Sequence, residues 1–226
     1  MRKIVLTVIF MAVVFSAFGC GKKAENVQEN SEISENSTQS AEEVQEETEP
    51  PVEKPTERVR DIEESEGFEY EIIDGGAVIT KYTGSDAYVD IPDTLGGSPV
   101  TEIGFYAFEA QHDIKSVIVP ETVTLIGEGA FMDCSSMESI NIPEAVTGIE
   151  RGAFVSCMSL SEITIPANVQ YVHEEAFTAC EGLLYLYVNN PDLAYESWGL
   201  EELPNVLVIA EENSAVAQWA TEMGKY

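Results

Sequence analysis

At 226 residues, 44% of them apolar and 9% aromatic, the chain can build one domain of ordinary size with appendages. Its 11 Lys and Arg stand against 41 Asp and Glu, a formal net charge of -30. Such a surface repels phosphodiester backbones, whose binding needs Lys and Arg to displace counterions, as well as anionic bilayers, so nucleic acid is excluded as a partner. The acidity belongs to the domain as well as to the tail, since Gly67 onward carries 4 basic against 26 acidic residues. It keeps the surface solvated and dispersed, or it forms a diffuse field that attracts cations.

In chain order, Met1-Arg2-Lys3 precede an uncharged apolar run from Ile4 to Phe18, followed by Gly19 and Cys20. A basic start, an apolar stretch and a small residue at a cut site predict a signal peptide over 1–19. The run is short for a membrane span, which takes roughly 20 apolar residues. A cysteine at this exit resembles the lipobox of bacterial lipoproteins; Gly19 fits that pattern, whereas Ala17 and Phe18 depart from it. The resemblance implies that Cys20 is acylated, begins the mature chain and ties it to a membrane through a lipid anchor. Residues 20–66 then read as an acidic tether. Gly21 to Glu66 contain Pro50, Pro51 and Pro55 but no Phe, Tyr, Trp, Leu or Met, too little apolar surface to offset chain entropy. As a flexible coil these 46 residues span on the order of 35 to 40 Å.

The texture changes at Gly67. Phe68–Ile73, the turn Asp74-Gly75-Gly76 and Ala77–Tyr82 predict a β-hairpin, and Tyr88–Ile91 a third strand. Together they make an N-terminal β cap and first rung over 67–105. A fixed period follows over 106–188: Ala107-Phe108, Ala130-Phe131, Ala153-Phe154 and Ala176-Phe177 recur every 23 residues. Ile103, Ile126, Ile149 and Val172 precede these pairs, and Gln111, Cys134, Cys157 and Cys180 follow them, with Ile114, Met137, Leu160 and Leu183 beyond. Short strands close the units at Val117–Val119, Ile140–Ile142, Ile163–Ile165 and Leu186–Val188; the first three end on Pro120, Pro143 and Pro166, which cannot donate to a ladder. A unit of this kind buries its apolar residues only by stacking on the next, and the Ala-Phe pair suits a short helical or turn segment whose ring fills the coil. Pro92 to Val100 is five residues longer than Pro120 to Val123, so Thr94–Ser98 reads as an inserted loop. Residues 189–226 form a C-terminal cap: a last strand with Leu203, Val206 and Val208, then a helix with Ala215, Val216, Trp219, Ala220 and Met223 on one face, an N-cap at Asn213 or Ser214, and Gly224 at its end.

The residues Ile142, Pro143, Val146, Ile149, Ala153, Phe154, Cys157, Leu160, Ile163, Ile165 and Pro166 closely resemble one copy of the BspA-like class of bacterial leucine-rich repeats, and the likeness extends over 68–226. It implies a right-handed leucine-rich-repeat solenoid with a parallel strand stack, an N-terminal hairpin cap and a C-terminal helical cap. About six rungs would make the stack roughly 24 Å long. It also implies an exposed surface protein of the adhesin or antigen kind, and supplies no catalytic set.

Cys134, Cys157 and Cys180 share one interior slot. They read as a buried column of free thiols, with one disulfide between neighbouring rungs as the alternative that parallel side-chain vectors disfavour. No metal site and no cofactor is expected, because the two histidines, His112 and His173, do not stand at ligand spacing from the thiols. No nucleophile elbow, calcium loop or phosphate loop is present. The legible surface is the strand face, where residues alternating with the core point outward: Tyr88, Asp90, Ser116, Ile118, Ser139, Asn141, Glu162, Thr164, Tyr185 and Tyr187. Tyrosines at both ends suit a protein-binding strip; alternatively Leu184, Tyr185 and Tyr187 pack beneath the C-terminal cap. The reading is a non-enzymatic protein, lipid-anchored outside the cytoplasm and exposed at the cell surface, that binds a protein or glycan ligand. The alternatives are a structural envelope component and, further off, a glycan-processing enzyme whose carboxylate pair sequence does not reveal.

Overall fold

The computed structural model describes residues 62–226; the leader, Cys20 and the acidic segment as far as residue 61 lie outside the described residues. The chain opens on three antiparallel strands, β1 (Glu63–Ser65), β2 (Phe68–Ile73) and β3 (Gly76–Tyr82). The β2–β3 pair is the expected hairpin. Asp74 and Gly75 at its turn both have positive φ, 51° and 84°, the geometry that matches strand twist in a two-residue connection. β1 lies within the segment read as tether: Glu63 accepts a 2.8 Å hydrogen bond from the Tyr70 hydroxyl, and the folded part therefore starts before Gly67.

The solenoid continues through β4 (Tyr88–Asp90), β5 (Thr94–Leu95), β6 (Ser98–Ile103), β7 (Ser116–Ile118), β8 (Leu125–Ile126), β9 (Ser139–Ile140), β10 (Gly148–Ile149), β11 (Glu162–Ile165), β12 (Tyr171–Val172), β13 (Tyr185–Val188) and β14 (Leu207–Ala210). One face carries the predicted stack of six rungs, β4-β7-β9 and β11-β13-β14, all parallel. Rungs advance by the sequence period at Ser116↔Ser139 and Glu162↔Tyr185; the first step, Tyr88↔Ser116, is 28 residues and absorbs the insertion. That insertion is not a loop. Thr94–Leu95 and Ser98–Pro99 pair antiparallel about Gly96 and Gly97, again both at positive φ. A second parallel ladder, β3-β6-β8-β10-β12, runs through Ile103, Ile126, Ile149 and Val172.

The remaining side of each coil is made of turns, and the Ala-Phe pairs sit there without forming a helix. The amides of Phe108, Phe131 and Phe154 donate to Ala130, Ala153 and Ala176 of the next rung at 2.8 to 2.9 Å, so buried backbone groups are satisfied across rungs. Two left-handed residues shape every turn: φ lies between 53° and 63° at Tyr106, Gly129, Gly152 and Glu175, and again at Ala110, Asp133, Ser156 and Ala179. Glycine fills only two of these eight places; each other residue costs roughly 1 to 2 kcal/mol in that conformation, offset by the inter-rung bonds the turn makes possible.

Inside, Tyr82, Phe108, Phe131, Phe154 and Phe177 stack in one column with ring centroids 5.0 to 5.6 Å apart. The cap helix α1 (Ala215–Glu222) starts at Ser214, whose Oγ accepts from the Ala217 amide at 3.1 Å. It buries Val216, Ala217 and Ala220, and Trp219 stacks on Tyr195 at 3.7 Å. Ala215 and Met223 are exposed, contrary to the predicted face, because eight helical residues place only about two turns against the solenoid. Beyond the helix the Lys225 carbonyl accepts from the Val208 amide and its ammonium donates to the Leu203 carbonyl, closing the edge of β14. Among the described residues no helix is long and apolar enough to cross a membrane.

Candidate functional site

The strand stack presents two outward columns. One runs Tyr88, Ser116, Ser139, Glu162, Tyr185, Leu207; the other runs Asp90, Ile118, Asn141, Thr164, Tyr187, Ile209. Neighbours in a column are one strand spacing apart, about 4.8 Å. The residues read from sequence therefore share one face, though not one role. Ser139 Oγ donates to Ser116 Oγ at 3.1 Å. Asn141 is engaged with the preceding rung: its side-chain oxygen accepts from the Val119 amide at 2.8 Å, and its nitrogen donates to the Val119 carbonyl at 2.9 Å. This side chain extends the β7–β9 pairing one step past Ile140, where the backbone ladder ends.

The exposed apolar surface lies at the ends. Tyr88 is 72% exposed and Ile118 54% at one end. At the other, Leu184, Tyr185, Leu207 and Ile209 are each 41 to 44% exposed, beside a half-buried Tyr187 whose ring lies 6.4 Å from that of Tyr185. Leu184 and Tyr185 stay exposed rather than covered by the cap helix; α1 packs on β14 and, through Trp219, on Tyr195. Leu207 and Ile209 escaped the sequence reading, although the buried Val208 between them implies two outward neighbours.

Polar chemistry elsewhere is mutual pairing. An open groove is lined by Glu150, Arg151, His173, Glu174, Glu196 and Ser197. In it Arg151 pairs with Glu175 at 2.9 Å and Glu174 at 3.5 Å, and His173 lies 3.5 Å from Glu150. Glu150 also accepts from the Tyr171 hydroxyl at 3.0 Å. Burial, then the charge of Glu150, raises the Glu102 carboxyl above its ordinary range, and burial followed by the bond to Glu150 raises the Tyr171 hydroxyl. Glu150 and His173 share one slot on successive rungs, as do Arg151 and Glu174, and exposed pairs of this kind contribute 0 to about 1 kcal/mol each.

Cys134, Cys157 and Cys180 are free and fully buried. Their thiols donate to the carbonyls of Phe108, Phe131 and Phe154 at 3.1, 3.2 and 3.0 Å, and burial pushes the Cys134 thiol up to about 12. Gln111 takes the same part in the first copy, donating to the Tyr82 carbonyl at 3.4 Å. Among the described residues no group of three or more His, Cys, Asp or Glu is placed to hold a metal ion.

Comparison with known proteins agrees with this geometry. The BspA type leucine rich repeat region matches residues 91–195 in six copies. The chain is similar to a leucine-rich repeat protein from Bacteroides capillosus, with 35% identity and a TM-score of 0.51 over 56% of this chain and 97% of that one. It is also similar to the T. pallidum leucine-rich repeat protein, with 26% identity and a TM-score of 0.55, covering 66% of this chain and 64% of that one. The chain thus spans somewhat less than two thirds of the T. pallidum protein. No curated protein matches it. With a 23-residue period, a Phe column, a buried thiol in three successive rungs and a relative matched over nearly its whole length, the chain belongs to the BspA-type family of leucine-rich repeat proteins.

Proposed function

We propose that this protein is a non-enzymatic recognition module, held outside the cytoplasm by a lipid on Cys20, that binds a protein or glycan ligand on the outward face of its strand stack. The observation that carries the reading is the cluster of exposed Leu184, Tyr185, Leu207 and Ile209 around the half-buried Tyr187, on and beside two paired strands. Side chains on a hydrogen-bonded sheet are already ordered, so docking there costs little further chain entropy, and interface energy concentrates in a few aromatic anchors.

The test is capture by the full chain from host matrix and from the producer's own envelope, followed by affinity measurement on the captured ligand. Replacing Tyr185 and Tyr187 together by Ser should weaken binding by about 2 kcal/mol or more, roughly thirtyfold, with the melting temperature unchanged. Full binding by a folded double variant would place the ligand elsewhere. Anchoring is tested separately: Cys20→Ser should shift the protein from the membrane fraction to the soluble fraction or leave its leader uncleaved. Mass spectrometry of an unacylated mature terminus away from Cys20 would defeat the lipid reading.

A further inference from the structure

The chemistry of the partner follows from what surrounds the apolar cluster, given the reading of the strand face as a binding surface. From Gly152 to Tyr226 the chain has 11 Asp and Glu and a single Lys or Arg, Lys225. Lys225 is buried, its ammonium donating to the Leu203 carbonyl. The cation next before it, Arg151, is engaged by Glu174 and Glu175. Among the described residues the cluster is therefore bordered by carboxylates that no side chain compensates. Glu162 stands in register beside Tyr185 on the adjoining rung, and Glu211 and Glu212, both exposed, follow Ile209 directly after the strand. Among the described residues none of the three has an ionic partner.

A low-dielectric apolar surface edged by one sign of charge favours a partner of the opposite sign and repels one of its own. A second copy of this chain would bring the same carboxylates to the same place, and an acidic protein would do likewise. We infer that this end of the strand face takes a basic polypeptide segment. Apolar side chains of the segment rest on Tyr185, Tyr187, Leu207 and Ile209, and its flanking Lys or Arg lie over Glu162, Glu211 and Glu212.

Three short synthetic peptides test this against the full chain. All carry Leu and Phe at alternate positions, and the intervening residues are Lys and Arg in the first, Ser and Gln in the second, Asp and Glu in the third. The basic peptide should bind at least about tenfold more tightly than the other two, and its affinity should fall at least about tenfold between about 0.05 and 0.5 M salt. Tyr185→Ser with Leu207→Ser should abolish that binding, and Tyr88→Ser at the far end should leave it intact. Glu162→Gln with Glu211→Gln and Glu212→Gln keeps every apolar contact; it should weaken the basic peptide at low salt and flatten the salt dependence. Equal binding of basic and neutral peptides, both lost in the Tyr185/Leu207 variant, would overturn the charge assignment and leave the face a binding surface. Binding of the basic peptide that survives the Tyr185/Leu207 variant, or no binding by any peptide, would overturn the proposed occupant. Whether the face binds at all is decided independently by the captured ligand and the Tyr185/Tyr187 pair.

Discussion

Phe154→Ala is expected to destabilise the folded domain by about 3 to 5 kcal/mol. The ring is fully buried and lies between those of Phe131 and Phe177, parallel to both within 3° and 5.6 Å from each. Truncation opens a gap with an aromatic face above and below. The neighbours cannot close on it, because the amide of Phe154 is bonded to Ala176 and its carbonyl accepts from the Cys180 thiol. Each rung also supports the next, so the loss spreads along the stack. At roughly 2 to 4 °C per kcal/mol for a domain of this size, the melting temperature should fall by about 6 to 20 °C. A variant that melts within a degree or so of the parent would mean that the Ala-Phe segment is not an interior support.

The second large effect is alkaline. Burial raises the Cys134 thiol from an ordinary 9.0 to about 12, so between those values the folded chain keeps a proton that the unfolded chain gives up. Stability is then intact below pH 9 and declines as pH rises, by about 1.4 kcal/mol for each unit, to a total on the order of 4 kcal/mol near pH 12. Cys157 is raised as well, by the neighbouring Cys180 thiol and by burial. Cys134→Ser retains a donor for the Phe108 carbonyl and does not titrate in this range. It should start less stable at neutral pH and lose less on going alkaline, so denaturant midpoints measured from about pH 8 to about pH 11 should converge. Tyrosine ionisation enters both curves alike and cancels in their difference. Parallel curves would show that the buried thiol does not carry the pH dependence.

Much of this architecture is legible in the sequence, because a stacked repeat writes each interior slot several times over. Phe131, Phe154 and Phe177 recur with Cys134, Cys157 and Cys180 at fixed offsets, and recurrence separates the core from chance apolar residues. Features that depend on backbone shape left no such mark. The β8, β10 and β12 strands are two residues long, too short for alternation to show. The left-handed turn positions hold Tyr, Gly, Gly and Glu in one slot and Ala, Asp, Ser and Ala in the other; the cross-rung hydrogen bonds select that conformation more than residue type does. Asn141 looked like a surface residue since its link to Val119 joins two rungs 22 residues apart. The face of the candidate site was legible from strand alternation. The concentration of its exposed apolar side chains at one end was not, because it required knowing that Leu207 and Ile209 extend the sheet past Tyr185 and Tyr187.

The strict register makes the molecule a ruler graduated in rungs. Deleting or duplicating an interior 23-residue span such as Ala130–Gly152 joins like to like: Phe meets Phe, thiol slot meets thiol slot, and both caps keep the neighbours they were shaped for. Only the separation between the ends changes, by about 4.8 Å per rung. An insertion of any other length has to leave the coil as a projecting loop or hairpin, as Thr94–Ser98 does, to keep the core in register. Descendants of such a gene can therefore lengthen or shorten the distance from the N-terminal hairpin to Tyr185 and Tyr187 in whole steps, without altering the residues at either end.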